Sequence, residues 1–198
     1  FKQWCLWRES LSDEAQKTVE VLLEKAGTSD CEQASVELSS RTELSLNGNQ
    51  IKDVTPLSGF TNLRRLSLSE NQIKDISPLS GLTNLNSLFL SENQIKDVSP
   101  LSGFTNLTLL FLNENQIKDI SPLSGLANLA WLSLSKNQIE DVSPLSGLAN
   151  LAWLNLDKNQ IKDISPLSRL TYLIWLSLEN NPIAQQTCPV NPPSVCEF

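Results

Sequence analysis

Apolar and polar positions alternate in a short segment that returns every 22 residues through most of the chain. Each copy contains a leucine, one intervening residue and a second leucine. The copies begin at Leu44, Leu66, Leu88, Leu110, Leu132, Leu154 and Leu176. Alternation with a period of two is typical of a strand that buries one face. The equal spacing therefore predicts seven stacked strands in one parallel sheet, about 4.8 Å apart.

The remainder of each unit carries columns of a single residue type. Asn49 and its equivalents follow the strand, where an amide can satisfy backbone groups of its own and the next coil that would otherwise be buried without partners. Pro56 and its equivalents fix the backbone φ angle and exclude a long helix, so a 3₁₀ turn is expected there. The column that begins with Asp53 is interpreted as turn-forming, because one carboxylate per coil cannot build a cation cage.

The complete unit resembles the 22-residue leucine-rich repeat of bacterial internalins. It reads L-x-x-L-x-L-x-x-N-Q-I-K-D-[IV]-[ST]-P-L-S-G-[LF]-x-N, as in residues 63–84. The resemblance implies an α/β fold, a right-handed curved solenoid with the seven-stranded parallel sheet on its concave face and 3₁₀ turns on its convex side. The predicted division is a helical N-terminal cap over residues 1–40, seven repeats over 41–183 and a C-terminal cap over 184–198.

Both ends of such a solenoid need caps, because the core would otherwise be exposed there. Ser12 and Gly27 are typical of the residues that flank a helix at its start and end. The apolar face of this helix is expected to comprise Ala15, Val19, Leu22, Leu23 and Ala26. A second short helix is expected between Asp30 and Leu38.

The four cysteines lie two by two in the predicted caps. Three pairings are conceivable, but the two ends of a seven-stranded stack lie roughly 30 Å apart. A disulfide needs Cα atoms within about 7 Å of each other. We therefore expect the bonds Cys5–Cys31 and Cys188–Cys196, with four free thiols as the alternative.

Paired cysteines indicate an oxidising compartment. We therefore predict an extracellular protein, secreted or on the cell surface, whose signal peptide has been removed. The cap segments W-C-L-W (residues 4–7), T-S-D-C (28–31) and N-P-I-x-x-x-x-C (181–188) resemble those of secreted cyanobacterial leucine-rich repeat proteins.

Composition excludes several functions. With 15 basic and 22 acidic residues the net charge is −7, which argues against nucleic acid as a partner, because such a partner needs a basic face. No run of 18 apolar residues exists, which argues against membrane insertion. Histidine is absent, so the commonest general base and metal ligand are missing. We predict a non-catalytic protein with no metal and no cofactor.

Function is expected where the repeats differ on the exposed strand face. The position before the first strand leucine carries three tryptophans on adjacent strands, whose rings can stack. The predicted ligand-binding residues are Phe89, Leu109, Phe111, Trp131, Trp153, Trp175, Arg65, Asp157 and Glu179. Glu70, Glu92 and Glu114 are expected to form an acidic margin beside them.

Four hypotheses follow from this surface. A protein ligand bound by the aromatic patch is the leading one, because tryptophan and arginine are favoured in binding hot spots. A glycan could instead stack on the tryptophans, or two concave faces could form a homodimer. The tryptophans could also be neutral products of repeat duplication. Catalysis by Asp157 and Glu179 is disfavoured, because nothing on an open surface would raise a carboxyl pKa.

Overall fold

Eight parallel strands form one sheet, in which every strand pairs with the next strand along the chain. The computed structural model describes all 198 residues. The strands are β1 (Glu43–Ser45), β2 (Arg65–Ser67), β3 (Ser87–Phe89), β4 (Leu109–Phe111), β5 (Trp131–Ser133), β6 (Trp153–Asn155), β7 (Trp175–Ser177) and β8 (Cys196–Glu197). Equivalent residues of consecutive repeats face each other, as Leu44 faces Leu66. The first seven strands are those that the repeat predicts.

The eighth strand corrects the predicted number of seven. It is formed by the C-terminal cap, where Cys196 pairs with Leu176 and Glu197 pairs with Ser177. The backbone N–H of Leu178 donates to the carbonyl of Glu197 at 2.8 Å. Two residues carry no alternation that a sequence pattern could reveal, so this strand depends on the neighbouring β7 edge.

Three helices build the N-terminal cap, namely α1 (Lys2–Leu6), α2 (Asp13–Ala26) and α3 (Cys31–Ser40). The hydroxyl of Ser12 accepts a hydrogen bond from the N–H of Ala15, and Gly27 ends α2 with a left-handed φ of 70°. The two predicted helices are thereby confirmed, whereas α1 was not predicted. No helix of the chain has both the length and the apolar character needed to cross a bilayer.

Short 3₁₀ segments stand where the proline column predicts them, on the side of the coils away from the sheet. They span Thr55–Leu57, Ser77–Leu79, Ser99–Leu101, Ser121–Gly125, Ser143–Gly147 and Ser165–Arg169. The space between these turns and the sheet is filled by leucine, isoleucine, valine and phenylalanine side chains that are almost completely buried. The core therefore runs as one continuous column through the solenoid.

A buried asparagine ladder crosses this core, formed by Asn71, Asn93, Asn115, Asn137 and Asn159. The amide of Asn115 donates to the carbonyls of Leu90 and Leu112 at 3.0 and 3.1 Å. Its Oδ1 accepts from the N–H of Ile95 at 3.0 Å. Each asparagine thus links its own coil to the preceding one, so the predicted role between coils is confirmed, whereas the predicted link to the next coil is wrong.

Two disulfides close the caps. Cys5 and Cys31 are bonded with their Cα atoms 5.6 Å apart, and Cys188 and Cys196 with theirs 5.7 Å apart. No cysteine is free, so the predicted pairing is confirmed and the free-thiol alternative is wrong.

The carboxylates of the aspartate column accept hydrogen bonds in the turns, as predicted. Oδ1 of Asp119 accepts from the N–H of Ser121 at 2.8 Å, and Oδ1 of Asp163 accepts from that of Ser165 at 2.9 Å. These backbone bonds, aided by the serine hydroxyls, hold the pKa of Asp119 and Asp163 below the ordinary value of 3.8.

We expect both carboxyl groups to titrate below pH 3.8 in the folded protein. Because the folded-state pKa lies below the unfolded one, the stabilisation is present above the unfolded pKa and is lost as the pH falls through the folded pKa. Carbon-13 NMR titration of the carboxyl groups measures both midpoints. The urea-unfolded chain is the control and should show ordinary values, whereas equal midpoints in the two states would contradict the prediction.

Candidate functional site

Five aromatic side chains on the exposed strand face form a continuous stack, which we call the aromatic ladder. Its members are Phe89, Phe111, Trp131, Trp153 and Trp175. The rings of Trp153 and Trp175 lie 4.5 Å apart with an interplanar angle of 12°, and those of Trp131 and Trp153 lie 5.7 Å apart at 19°. Phe89 and Phe111 stack at 5.2 Å. Such offset stacking adds to the energy of burial alone.

One contact joins the phenylalanines to the tryptophans across a strand. Phe111 on β4 and Trp153 on β6 stack at 6.1 Å, although β5 lies between them. The residue of β5 on the same column as Phe111 is Ser133, which is small and only 3% exposed. The serine therefore leaves room for the ladder to run without a break from β3 to β7.

The ladder remains accessible on its outer side. Trp131 is 44% exposed, while Trp153, Trp175, Phe89 and Phe111 are half-buried. Trp153 has neighbouring rings on both sides, so its two faces are largely covered by Trp131 and Trp175. Contact with a partner at this residue therefore involves the ring edge rather than an open ring face.

Arg65 ends the ladder on the N-terminal side. Its guanidinium carbon lies 4.4 Å from the centre of the Phe89 ring, a cation–π contact. Leu109 is half-buried on β4 and lies opposite Trp131 in the strand register. The structure thus brings seven of the nine predicted ligand-binding residues into one continuous surface.

The other two predicted residues, Asp157 and Glu179, lie at the C-terminal ends of β6 and β7. Oδ1 of Asp157 accepts hydrogen bonds from the hydroxyl of Ser177 and from the N–H of Glu179. Asn47 makes the same pair of contacts with Ser67 and Ser69. Asp157 therefore fastens one strand end to the next, a role that sequence reasoning missed, whereas the side chain of Glu179 is exposed and free.

A line of charges borders the ladder, and we call it the charged rim. It consists of Glu70, Glu92, Glu114, Lys136 and Lys158, which follow strands β2 to β6. All five adopt left-handed backbone φ angles between 54° and 59°. Nζ of Lys136 lies 2.6 Å from the carboxylate of Glu114, so neighbouring rim side chains reach each other. The acidic margin expected from the sequence is therefore the first part of a longer strip that changes sign.

Two further apolar pairs are exposed outside the ladder, and sequence reasoning missed both. Leu6 and Trp7 lie in the N-terminal cap, and Trp7 is 67% exposed. Tyr172 and Ile174 lie before β7 and are 70% and 71% exposed. The signal for the second pair is a departure from the repeat, because Tyr172 replaces an asparagine that donates to the preceding coil in earlier repeats, as Asn150 does.

The 22-residue coils, the single parallel sheet and the buried asparagine ladder define a leucine-rich repeat solenoid. The family model described as "Leucine Rich repeats (2 copies)" matches residues 42–81, 61–103, 83–125, 105–147 and 127–169. The chain belongs to the leucine-rich repeat family, and it is internalin-like within that family. No curated protein sequence matches the chain.

Three solved structures show this likeness. Internalin C2 of Listeria monocytogenes is 35% identical with a TM-score of 0.78, covering 90% of this chain and 89% of that one. An internalin F of the same species is 29% identical with a TM-score of 0.52, covering 86% and 71%. A leucine-rich repeat protein of Leptospira interrogans is 26% identical with a TM-score of 0.69, covering 77% and 46%.

Proposed function

We propose that the protein is a non-catalytic extracellular recognition module that binds a protein ligand through the aromatic ladder. The observation that carries the proposal is the ladder itself, five stacked aromatic side chains on a surface that the fold leaves open to solvent. Solenoids use this face as an extended binding surface. Tryptophan, which supplies three of the five ladder rings, and arginine, which stacks on Phe89, are enriched among hot-spot residues.

The geometry of the rings favours a protein over a glycan. A sugar ring stacks flat against an open aromatic face, but the central rings of Phe111 and Trp153 lie against neighbouring rings at 4.5 to 6.1 Å, which leaves open faces only on the outer rings of the ladder. The edges and the indole N–H groups remain available. Apolar side chains and carbonyl oxygens of a protein surface suit such edges, because an aromatic edge carries partial positive charge.

An extracellular location is supported by the two disulfides, which persist in oxidising compartments. A non-catalytic role is supported by the chemistry at the site. The chain contains no histidine, and Oδ1 of Asp157 is already committed to internal hydrogen bonds. A surface that contains aromatic rings, one arginine and exposed carboxylates is suited to recognition.

Replacing Trp153 by alanine should weaken ligand binding about 100-fold, within the range of about 2–4 kcal/mol that central hot-spot residues contribute. Trp153 contacts three other ladder rings, so its loss opens the middle of the surface. The immobilised protein is used to capture proteins from extracellular fluid and cell surfaces, and the affinity of a captured protein is then measured by calorimetry.

The matched control is Trp7→Ala, which removes an exposed tryptophan of the N-terminal cap outside the ladder. Capture by wild type and W7A but not by W153A supports the proposal. Equal capture by all three proteins would show that the binding site lies outside the aromatic ladder. Binding on a glycan array without any captured protein overturns the proposal in favour of a sugar ligand.

A further inference from the structure

The charged rim carries opposite charges at its two ends, so the rim read in reverse order is complementary in charge to the rim itself. Three glutamates follow β2, β3 and β4, and two lysines follow β5 and β6, so the sign changes between β4 and β5. Glu114 and Lys136 pair with each other at the change. Glu70, Glu92 and Lys158 have no ion-pair partner within the chain.

The five residues of the charged rim have an unfavourable backbone conformation. A left-handed conformation costs a residue other than glycine roughly 1–2 kcal/mol, and glycine is the default residue there. Gly48 and Asn180 take the equivalent positions before and after the rim. The charged side chains between them are therefore retained at some expense of stability, which points to a use at the surface.

A two-fold axis can place the charges of the rim opposite the opposite charges of a second copy. We consider an axis that runs parallel to the strands, in front of the sheet and midway between β4 and β5. Rotation by 180° about it places β4 over the partner's β5 and β3 over the partner's β6, and keeps each column over the same column. Glu92 then faces the partner's Lys158, and the contact occurs twice because the interface is isologous.

The same rotation places the central tryptophan opposite a small side chain. Trp153 of β6 faces Ser87 of the partner's β3. Ser87 is 6% exposed and lies between Arg65 and Leu109 in the strand register. Interfaces depend on such complementarity of shape at their centre.

The same rotation also places Arg65 near an aromatic ring at the end of the partner's ladder. Arg65 of β2 faces Trp175 of the partner's β7, and one side of Trp175 has no aromatic neighbour because β8 contributes only Cys196 and Glu197. A second guanidinium–ring contact can form there.

We propose that the free protein forms a two-fold dimer through its concave face, with β4 of one copy over β5 of the other. The inference rests on the proposed function, because it assigns a second copy of the chain to the same aromatic surface. A protein ligand must then displace the second copy, so its apparent affinity falls as the concentration of the protein rises.

The test uses two single charge reversals, Glu92→Lys and Lys158→Glu, with sedimentation velocity at low salt over a range of concentrations. We expect wild type to dimerise and each variant alone to dimerise at least about tenfold more weakly, because like charges then oppose each other twice. An equimolar mixture of the two variants should dimerise like wild type, since opposite charges then face each other at both contacts of the mixed dimer. Lys96→Glu, at an exposed lysine outside the charged rim, is the control and should behave as wild type.

A wild-type protein that stays monomeric at every concentration overturns the proposal, as does a mixture that associates no better than its components. Neither result touches the proposed function. That function fails if W153A and wild type capture the same proteins equally, or if the protein binds glycans and captures no protein, so the two failures are distinguishable.

Discussion

Replacing Asn115 by aspartate should lower the free energy of unfolding by about 4 kcal/mol. The amide of Asn115 donates to the carbonyls of Leu90 and Leu112, and the side chain is 8% exposed. A carboxylate has the same size but no N–H, so the carbonyls of Leu90 and Leu112 each lose one of two donors and face a buried negative charge, while Asn93 and Asn137 remain as the other donors. Burying a polar group without a partner costs about 1–3 kcal/mol, and a buried charge that faces two carbonyl oxygens costs more.

The measurement is urea-induced unfolding followed by pulse proteolysis. Asn106→Asp is the matched control, because the exposed Asn106 makes one hydrogen bond to the carbonyl of Thr83 at 3.0 Å. Its loss should cost no more than about 1 kcal/mol. Equal destabilisation by the two variants would show that burial of the asparagine ladder contributes little to the stability of the solenoid.

Removal of the N-terminal disulfide, by Cys5→Ser together with Cys31→Ser, should lower the free energy of unfolding by about 3–4 kcal/mol. The two cysteines are 26 residues apart, and the chain entropy that a cross-link removes from the unfolded state grows with the length of the closed loop. Helix α1 spans five residues and has no side-chain cap, and it is held on α3 by the disulfide and by the ion pair of Lys2 with Glu32. We expect α1 to detach first.

Differential scanning calorimetry measures the loss, and hydrogen exchange of the α1 amides locates it. The comparison is Cys188→Ser with Cys196→Ser, which opens a loop of 8 residues and should cost about 2.5 kcal/mol. A larger effect of the C-terminal pair, or unchanged exchange in α1, would refute the assignment of the N-terminal disulfide as the stronger restraint.

The structure of the repeats can be predicted from the sequence because each unit carries the same residues at the same positions. Leucine alternation defines seven strands, proline places the 3₁₀ turns, and one asparagine per coil satisfies the backbone between coils. These signals occur up to seven times and reinforce each other. The disulfide pairing follows as well, since the length of the stack leaves only one pairing within reach.

The caps and the finer geometry of the site carry no such repetition. Strand β8 has two residues and depends on the β7 edge, and α1 has no capping side chain, so neither has a local signature. The stack of Phe111 on Trp153 depends on the orientation of these side chains over Ser133, which the aligned repeat sequences do not show. The role of Asp157 was hidden for a similar reason, because its partners Ser177 and Glu179 belong to the next repeat.

The close spacing of the indole rings gives the ladder optical properties of its own. Rings at 4.5 and 5.7 Å with nearly parallel planes are close enough for their electronic transitions to couple, so absorbed light excites the group rather than one ring. Coupled transitions in a chiral arrangement produce a paired positive and negative band in circular dichroism. The amplitude depends steeply on the distance and angle between the rings. Any event that shifts one ring therefore changes the circular dichroism of the whole stack, which reports directly on changes at this face.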